Sequence, residues 1–227
     1  MFTQGHEVSI IIPCFNQQEW VADAIQSALD QTIPCEVIFI NDGSTDNSLQ
    51  VAKSYENQGI RVVNQVNKGL ASARNTGIMW ATGDFVLPLD SDDILQENCV
   101  AKIIETIEKN PDADIVAPSF KCFGKYNDSV ILMENPTLND FKEANRIGYF
   151  SAIKKRALLE IGGYSPRMTF GYEDYHLWIN LLSAGKKLVT MKDILILYRT
   201  KENSMYSEAL KHHSELMSQI YKDFPSW

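Results

Sequence analysis

The chain has 227 residues, and 29 acidic against 21 basic side chains leave a net charge of −8. That length suits one large domain, and a hydrophobic share of 44% builds a core, which excludes wholesale disorder. The acid excess excludes the broad basic footprint that nucleic acid or an anionic membrane surface would need.

In chain order, Val8 to Ile12, stopped by Pro13, reads as a buried strand, and Trp20 to Leu29 carries a helical apolar stripe. Val37 to Ile40 predicts a second strand ending at Asn41-Asp42-Gly43-Ser44, and Asp46 can cap a helix running to a stop near Gly59. Ile60 to Val63 is strand-like, Leu70 to Trp80 helical, and Phe85 to Leu89 a strand that ends at Asp90-Ser91-Asp92-Asp93. Val100 to Ile107 reads as a helix and Ile115 to Ala117 as a strand. Strands alternating with helices of this length predict an α/β domain with a largely parallel, doubly covered sheet.

The second half is less regular. Phe120 to Met133 suggests a hairpin, Tyr149 to Ile153 a strand, and Lys155 to Ile161 a helix closed by Gly162-Gly163. Asp174 to Leu182 reads as a helix, Ile194 to Tyr198 as a strand, and Glu208 to Tyr221 as one last helix. Packing on the domain is the first use of that helix's apolar stripe, and a homodimer the second. No linker or repeat stands out, so residues 1–227 are expected to form a single domain.

Cys14, Cys35, Cys99 and Cys122 show no metal-like spacing and are expected to be free thiols in a reducing compartment. No segment reaches the ~18 apolar residues of a membrane span. The first residues, Met1 to Glu7, lack the basic and apolar parts of a signal peptide. These features predict a cytoplasmic protein, with peripheral contact at the inner face of the membrane left open. His6, His212 and His213 are read as surface residues.

Ligands of open α/β sheets bind at the carboxyl ends of the strands. Those ends deliver Pro13-Cys14-Phe15-Asn16, then Asn41-Asp42-Gly43-Ser44, then Asp90-Ser91-Asp92-Asp93. Each is also ordinary turn or capping chemistry, but together they gather acids at one edge. Carboxylates this close repel unless screened, and an Asp-x-Asp pair after an apolar strand suits a hard cation such as Mg²⁺ or Mn²⁺. Neither a dinucleotide fingerprint nor a P-loop is present. Lys68-Gly69 leads into a helix carrying Arg74, which reads equally as a helper for negative charge or as a surface residue. Glu173-Asp174 opens a helix among Tyr172, Tyr175 and Trp178, where partial desolvation can turn a carboxylate into a general base.

Taken in order, these motifs, with Asn67-Lys68-Gly69, Ala73-Arg74-Asn75-Thr76-Gly77 and Glu173 to Trp178, resemble the family 2 inverting glycosyltransferases with the GT-A fold. The resemblance implies a Rossmann-like nucleotide-sugar half to about residue 118 and an acceptor-side half from about 119. It implies a nucleotide-diphosphate sugar, UDP-linked first, held by Pro13, Phe15, Asn16, Asp42, Lys68, Arg74, Asp90, Ser91 and Asp92. Asp90 and Asp92 would bind Mn²⁺ or Mg²⁺. Asp174 would be the catalytic base with Glu173 beside it, and Asp93 and Trp178 would lie on the acceptor side. The acceptor would be a glycan or a lipid-linked glycan, in polysaccharide or glycoconjugate synthesis.

The sequence departs from the family at three positions. Asn41 stands where an aspartate is usual, Asn180 where an arginine is common, and Lys201 where Arg-x-His usually ends. Lys201 either contacts the diphosphate directly or the contact is lost. A sugar nucleotidyltransferase and a non-catalytic nucleotide- or glycan-binding module are the competing readings.

Overall fold

A computed structural model describes residues 8–202, 205–225 and 227; His6 and the first residues, read above for a signal peptide, lie outside them. The elements run β1 (Val8–Cys14), α1 (Val21–Leu29), β2 (Glu36–Asp42), α2 (Ser48–Lys53), β3 (Arg61–Gln65), α3 (Leu70–Trp80) and β4 (Phe85–Pro88). Then come β5 (Ile94–Leu95), α4 (Cys99–Lys109), β6 (Ile115–Gly124), β7 (Ser129–Val130), β8 (Ala152–Lys154) and α5 (Lys155–Glu160). The chain continues with α6 (Glu173–Ser183), β9 (Leu188–Thr200), α7 (Met205–Lys211) and α8 (His213–Asp223).

All seven residues of β1 are buried because the sheet is covered on both faces. Val8, Ile10 and Ile12 pack toward α1 and α4, whereas Ile11 packs toward α3 and α6. β1 pairs in parallel with β2 and β4, and β3 adds in parallel outside β2. The sheet then turns antiparallel through β8 and ends in β6, β9 and β5, giving the order β3-β2-β1-β4-β8-β6-β9-β5 with β7 on β6. This is the mixed α/β architecture expected from the sequence. Gly77 lets α3 lie close on the sheet: a Cβ there would stand 2.9 Å from Ile11 Cβ and Ile40 Cδ1.

Four details differ from the sequence reading. The last helix is two, broken at His212, with Leu216 and Ile220 buried on the core. The strand expected at 194–198 is the thirteen-residue β9, which runs parallel to β6 with register shifts near Ser119. β5 pairs with β9 and has no signal in a two-residue Ile-Leu step. The expected boundary near residue 118 falls inside β6, so both halves share one sheet. The Phe120 to Met133 hairpin forms, with β7 as its short second arm.

Candidate active site

β1, β2 and β4 are parallel, so Phe15, Asp42 and Asp90 emerge at the same sheet edge. There a cavity of about 520 Å³ is lined by Pro13, Phe15, Gln17, Asp42, Lys68, Asp90, Ser91, Asp92, Arg199 and Lys201, among others. Most of the expected nucleotide-sugar residues are thus brought together. Asn16 is not among them: in a left-handed conformation (φ 54°), it accepts the Thr45 amide on Oδ1 at 2.8 Å. Its role is to tie the first strand's loop to the turn after β2.

Asp42 lies in the cavity wall, but its carboxylate is occupied. It accepts from Gln65 Nε2 at 2.7 Å and from the Lys68 and Gly69 amides at 2.9 Å each, shaping the turn into α3. Beside it, the buried Asn41 donates to Asn64 Oδ1 at 2.7 Å, a neutral pairing that an aspartate there could not make.

Arg74 is fully buried and holds two carboxylates, Asp90 at 2.7 Å and Glu173 at 2.6 Å, with its guanidinium over the rings of Tyr149 and Tyr164. It does not face the first cavity. It lines a second one, of about 640 Å³, together with Asn145, Asp174, His213 and the tyrosines 149, 172, 175, 198 and 221. Leu70, Asp90, Gly171, Glu173, Tyr198 and Met205 line both cavities, so the two share a wall. His213, expected at the surface, is exposed but also shares a 2.8 Å hydrogen bond with Tyr172 Oη. His212 stacks on Phe170.

Asp174 opens α6 at that second cavity. Burial, reinforced by the charge of Glu173, pushes its carboxyl up to about 7, while Arg74 and hydrogen bonds from the Tyr175 amide and Asn145 work the other way. A carboxyl poised there suits proton abstraction near neutral pH. Burial also raises Asp90, to about 6, against the pull of Arg74.

Two expected acceptor-side residues sit elsewhere. Trp178 is fully buried and lines neither cavity, because α6 is covered on nearly every side and Trp178 fills the core beneath it. Asp93 is buried behind Asp92 and also lines neither cavity. It accepts from Tyr149 Oη at 2.5 Å and from the Arg199 amide at 2.6 Å, and burial raises its pKa well above the carboxylate range. It ties the acidic loop to β9. Sequence reasoning missed Asn145 and Tyr149, which belong to irregular chain with no motif. It also missed Arg199, which donates to the Asp92 carbonyl at 2.8 Å and is stacked between Trp20 and Phe123.

The Asp-x-Asp pair does not present itself as a ready divalent-ion site. Asp90 is paired with Arg74, and Asp92 Oδ2 lies 2.5 Å from the ammonium of Lys201. Among the described residues no three His, Cys, Asp or Glu side chains converge as ligands. The donor set therefore already holds two organic cations and does not fit a resident metal.

The model of the family described as "Glycosyl transferase family 2" matches residues 9–175. The poly-beta-1,6-N-acetyl-D-glucosamine synthase of Staphylococcus epidermidis is 30% identical over 182 residues, spanning 73% of this chain and 43% of the synthase. The chain thus spans less than half the length of that relative. The crystal structure of S. aureus TarS in complex with UDP-GlcNAc matches with TM-score 0.83 at 19% identity, over 97% of this chain and 67% of that one. The mannosyltransferase PcManGT of Pyrobaculum calidifontis, in complex with GDP-Man and Mn²⁺, matches with TM-score 0.70 at 17% identity, over 96% and 63%. Both structures share the GT-A arrangement seen here. The chain belongs to glycosyl transferase family 2.

Proposed function

We propose that this protein transfers a sugar from a nucleotide-diphosphate sugar, UDP-linked first, to an acceptor hydroxyl with inversion, in polysaccharide or glycoconjugate assembly. One observation carries the reading: Asp174, poised near neutrality, faces a tyrosine-lined cavity that shares the Asp90–Glu173 wall with the cavity at the strand ends. The donor occupies the strand-end cavity, where ligands of open α/β sheets bind; S. aureus TarS, which shares the fold, is in complex with UDP-GlcNAc. The acceptor, a glycan or lipid-linked glycan, enters between Tyr172, Tyr198 and Tyr221, whose rings suit the apolar faces of sugars.

Asp174 takes the acceptor hydroxyl proton, the oxygen bonds to the anomeric carbon, and the bond to the diphosphate breaks on the opposite face. The bonding pair leaves with the nucleoside diphosphate. Four free cysteines favour a reducing, cytoplasmic setting for this work. Among the described residues no helix is long and apolar enough to cross a membrane. Family membership and the Asp174 environment favour an enzyme over a non-catalytic module. The test is Asp174→Asn with UDP-sugars as donors: transfer should fall by ~10²–10⁴-fold while nucleotide affinity holds. Unchanged turnover removes Asp174 as the base.

A further inference from the structure

Lys201 follows the last residue of β9, and its ammonium reaches across to the acidic loop after β4. It stands 2.5 Å from Asp92 Oδ2 and donates to Gln17 Oε1 at 3.3 Å, and all three side chains line the strand-end cavity. Asp92 and Lys201 keep 19% and 28% of their side chains exposed, and so partly open an ion pair contributes little to stability. Its value has to be sought in what the cavity binds.

That cavity is lined by the acids Asp42, Asp90, Asp92 and Glu173 and by the cations Lys68, Arg199 and Lys201, and a diphosphate there needs a cation with a donor to spare. Arg74 is consumed by Asp90 and Glu173, and Arg199 by Asp23, the Asp92 carbonyl and two aromatic rings. Lys68 lines the same cavity, where its backbone amide donates to Asp42. A lysine ammonium carries three donors. Asp92 and Gln17 engage two, which leaves the third for an incoming oxyanion.

We propose that Lys201 is the resident cation of the donor site: its ammonium, oriented by Asp92 and Gln17, meets the donor diphosphate and takes the negative charge of the leaving group, so donor binding needs no divalent ion. This rests on the donor-site reading above. It also accounts for the lack of a vacant carboxylate set at Asp90 and Asp92, because the position next to Asp92 is already cationic. An ammonium fixed before the donor arrives stabilises developing charge without reorganising at the moment of reaction.

The test is calorimetric titration of UDP, GDP and TDP into the full chain, in EDTA and then in Mn²⁺. The wild type should bind one of them in EDTA, with Kd changing little in Mn²⁺. Lys201→Met should weaken that binding by about tenfold or more in EDTA, the effect of one charge-assisted hydrogen bond, and Lys201→Arg should retain most of it. Lys201→His should bind weakly in EDTA and recover with Mn²⁺. Circular dichroism melting of each variant separates lost binding from lost folding, and Lys201→Gln replaces any variant that melts early. Wild-type binding that requires Mn²⁺, or full affinity in both Lys201→Met and Lys201→Gln, overturns the Lys201 assignment and leaves the donor site standing. No binding by the wild type under either condition overturns the donor site itself, and Lys201 with it.

Discussion

Asn145 donates its side-chain amide to Asp174 Oδ2 at 3.0 Å, joining the loop before β8 to the start of α6. A hydrogen bond of this kind favours the ionised carboxylate, opposing the burial and the Glu173 charge that raise it. Asn145 therefore positions Asp174, the proposed base, and limits how far its pKa climbs. In Asn145→Ala the acid limb of the kcat/KM–pH profile should move to higher pH, with the high-pH plateau nearly kept. A lowered plateau with an unmoved limb would show a merely structural role.

The raised carboxyl of Asp174 also has a stability consequence. Folding lifts its pKa from the ordinary 3.8 to about 7, so its favourable contribution is complete below about 3.8 and is lost as pH rises through about 7. Asp174→Asn should therefore melt higher than the wild type at pH 8 and no higher at pH 4, as scanning calorimetry would show. The wild-type transfer rate should rise with pH through about 7, where the base becomes ionised.

Arg74 is the one buried side chain that joins Asp90 to Glu173 among the described contacts. Arg74→Met leaves both carboxylates without their cation, and breaking a buried pair in this way costs ~3–5 kcal/mol. Urea unfolding should show a loss of that order. Adding Glu173→Gln to Arg74→Met should recover part of it, whereas purely additive losses would mean the two residues are not coupled.

The Gly77 contact predicts overpacking. Gly77→Ala places a methyl 2.9 Å from Ile11 and Ile40 side-chain atoms, and insertions into packed cores cost ~1–3 kcal/mol. Because α3 also carries Arg74, the variant should lose activity along with stability. An unchanged unfolding midpoint would contradict the packing described here.

The N-terminal half was legible because its strands are continuous apolar runs and each chemical motif follows one directly, as Asp42 follows Ile40 and Asp90 follows Leu89. Periodicity located α3 to the residue, since Leu70 follows Gly69 and the helix closes at Trp80. Where a contact joins distant parts of the chain, the sequence offered the residue but not its partner: Lys201 stood out as a possible diphosphate contact, without its pairing to Asp92. Lys201 meets Asp92 only because β9 lies between β6 and β5, and that register is written in no local pattern. Trp178 looked like a site residue because of its neighbour Asp174, but aromatic residues beside a base serve equally as core, and here Trp178 is fully buried. Asn145 lies in irregular chain, where spacing carries no information about what a side chain will touch.

Arg74 has a consequence for how such a protein can diversify. Its guanidinium holds Asp90 and Glu173, two residues of the wall that the cavities share, so the spacing between the proposed donor and acceptor pockets is set by one residue on α3. The helices α7 and α8, which line only the second cavity apart from Met205, carry none of the residues that Arg74 joins and can be exchanged without disturbing that spacing, whereas the 142–145 loop is tied to Asp174 through Asn145. On the function proposed above, acceptor preference is thereby free to drift while the donor side stays fixed.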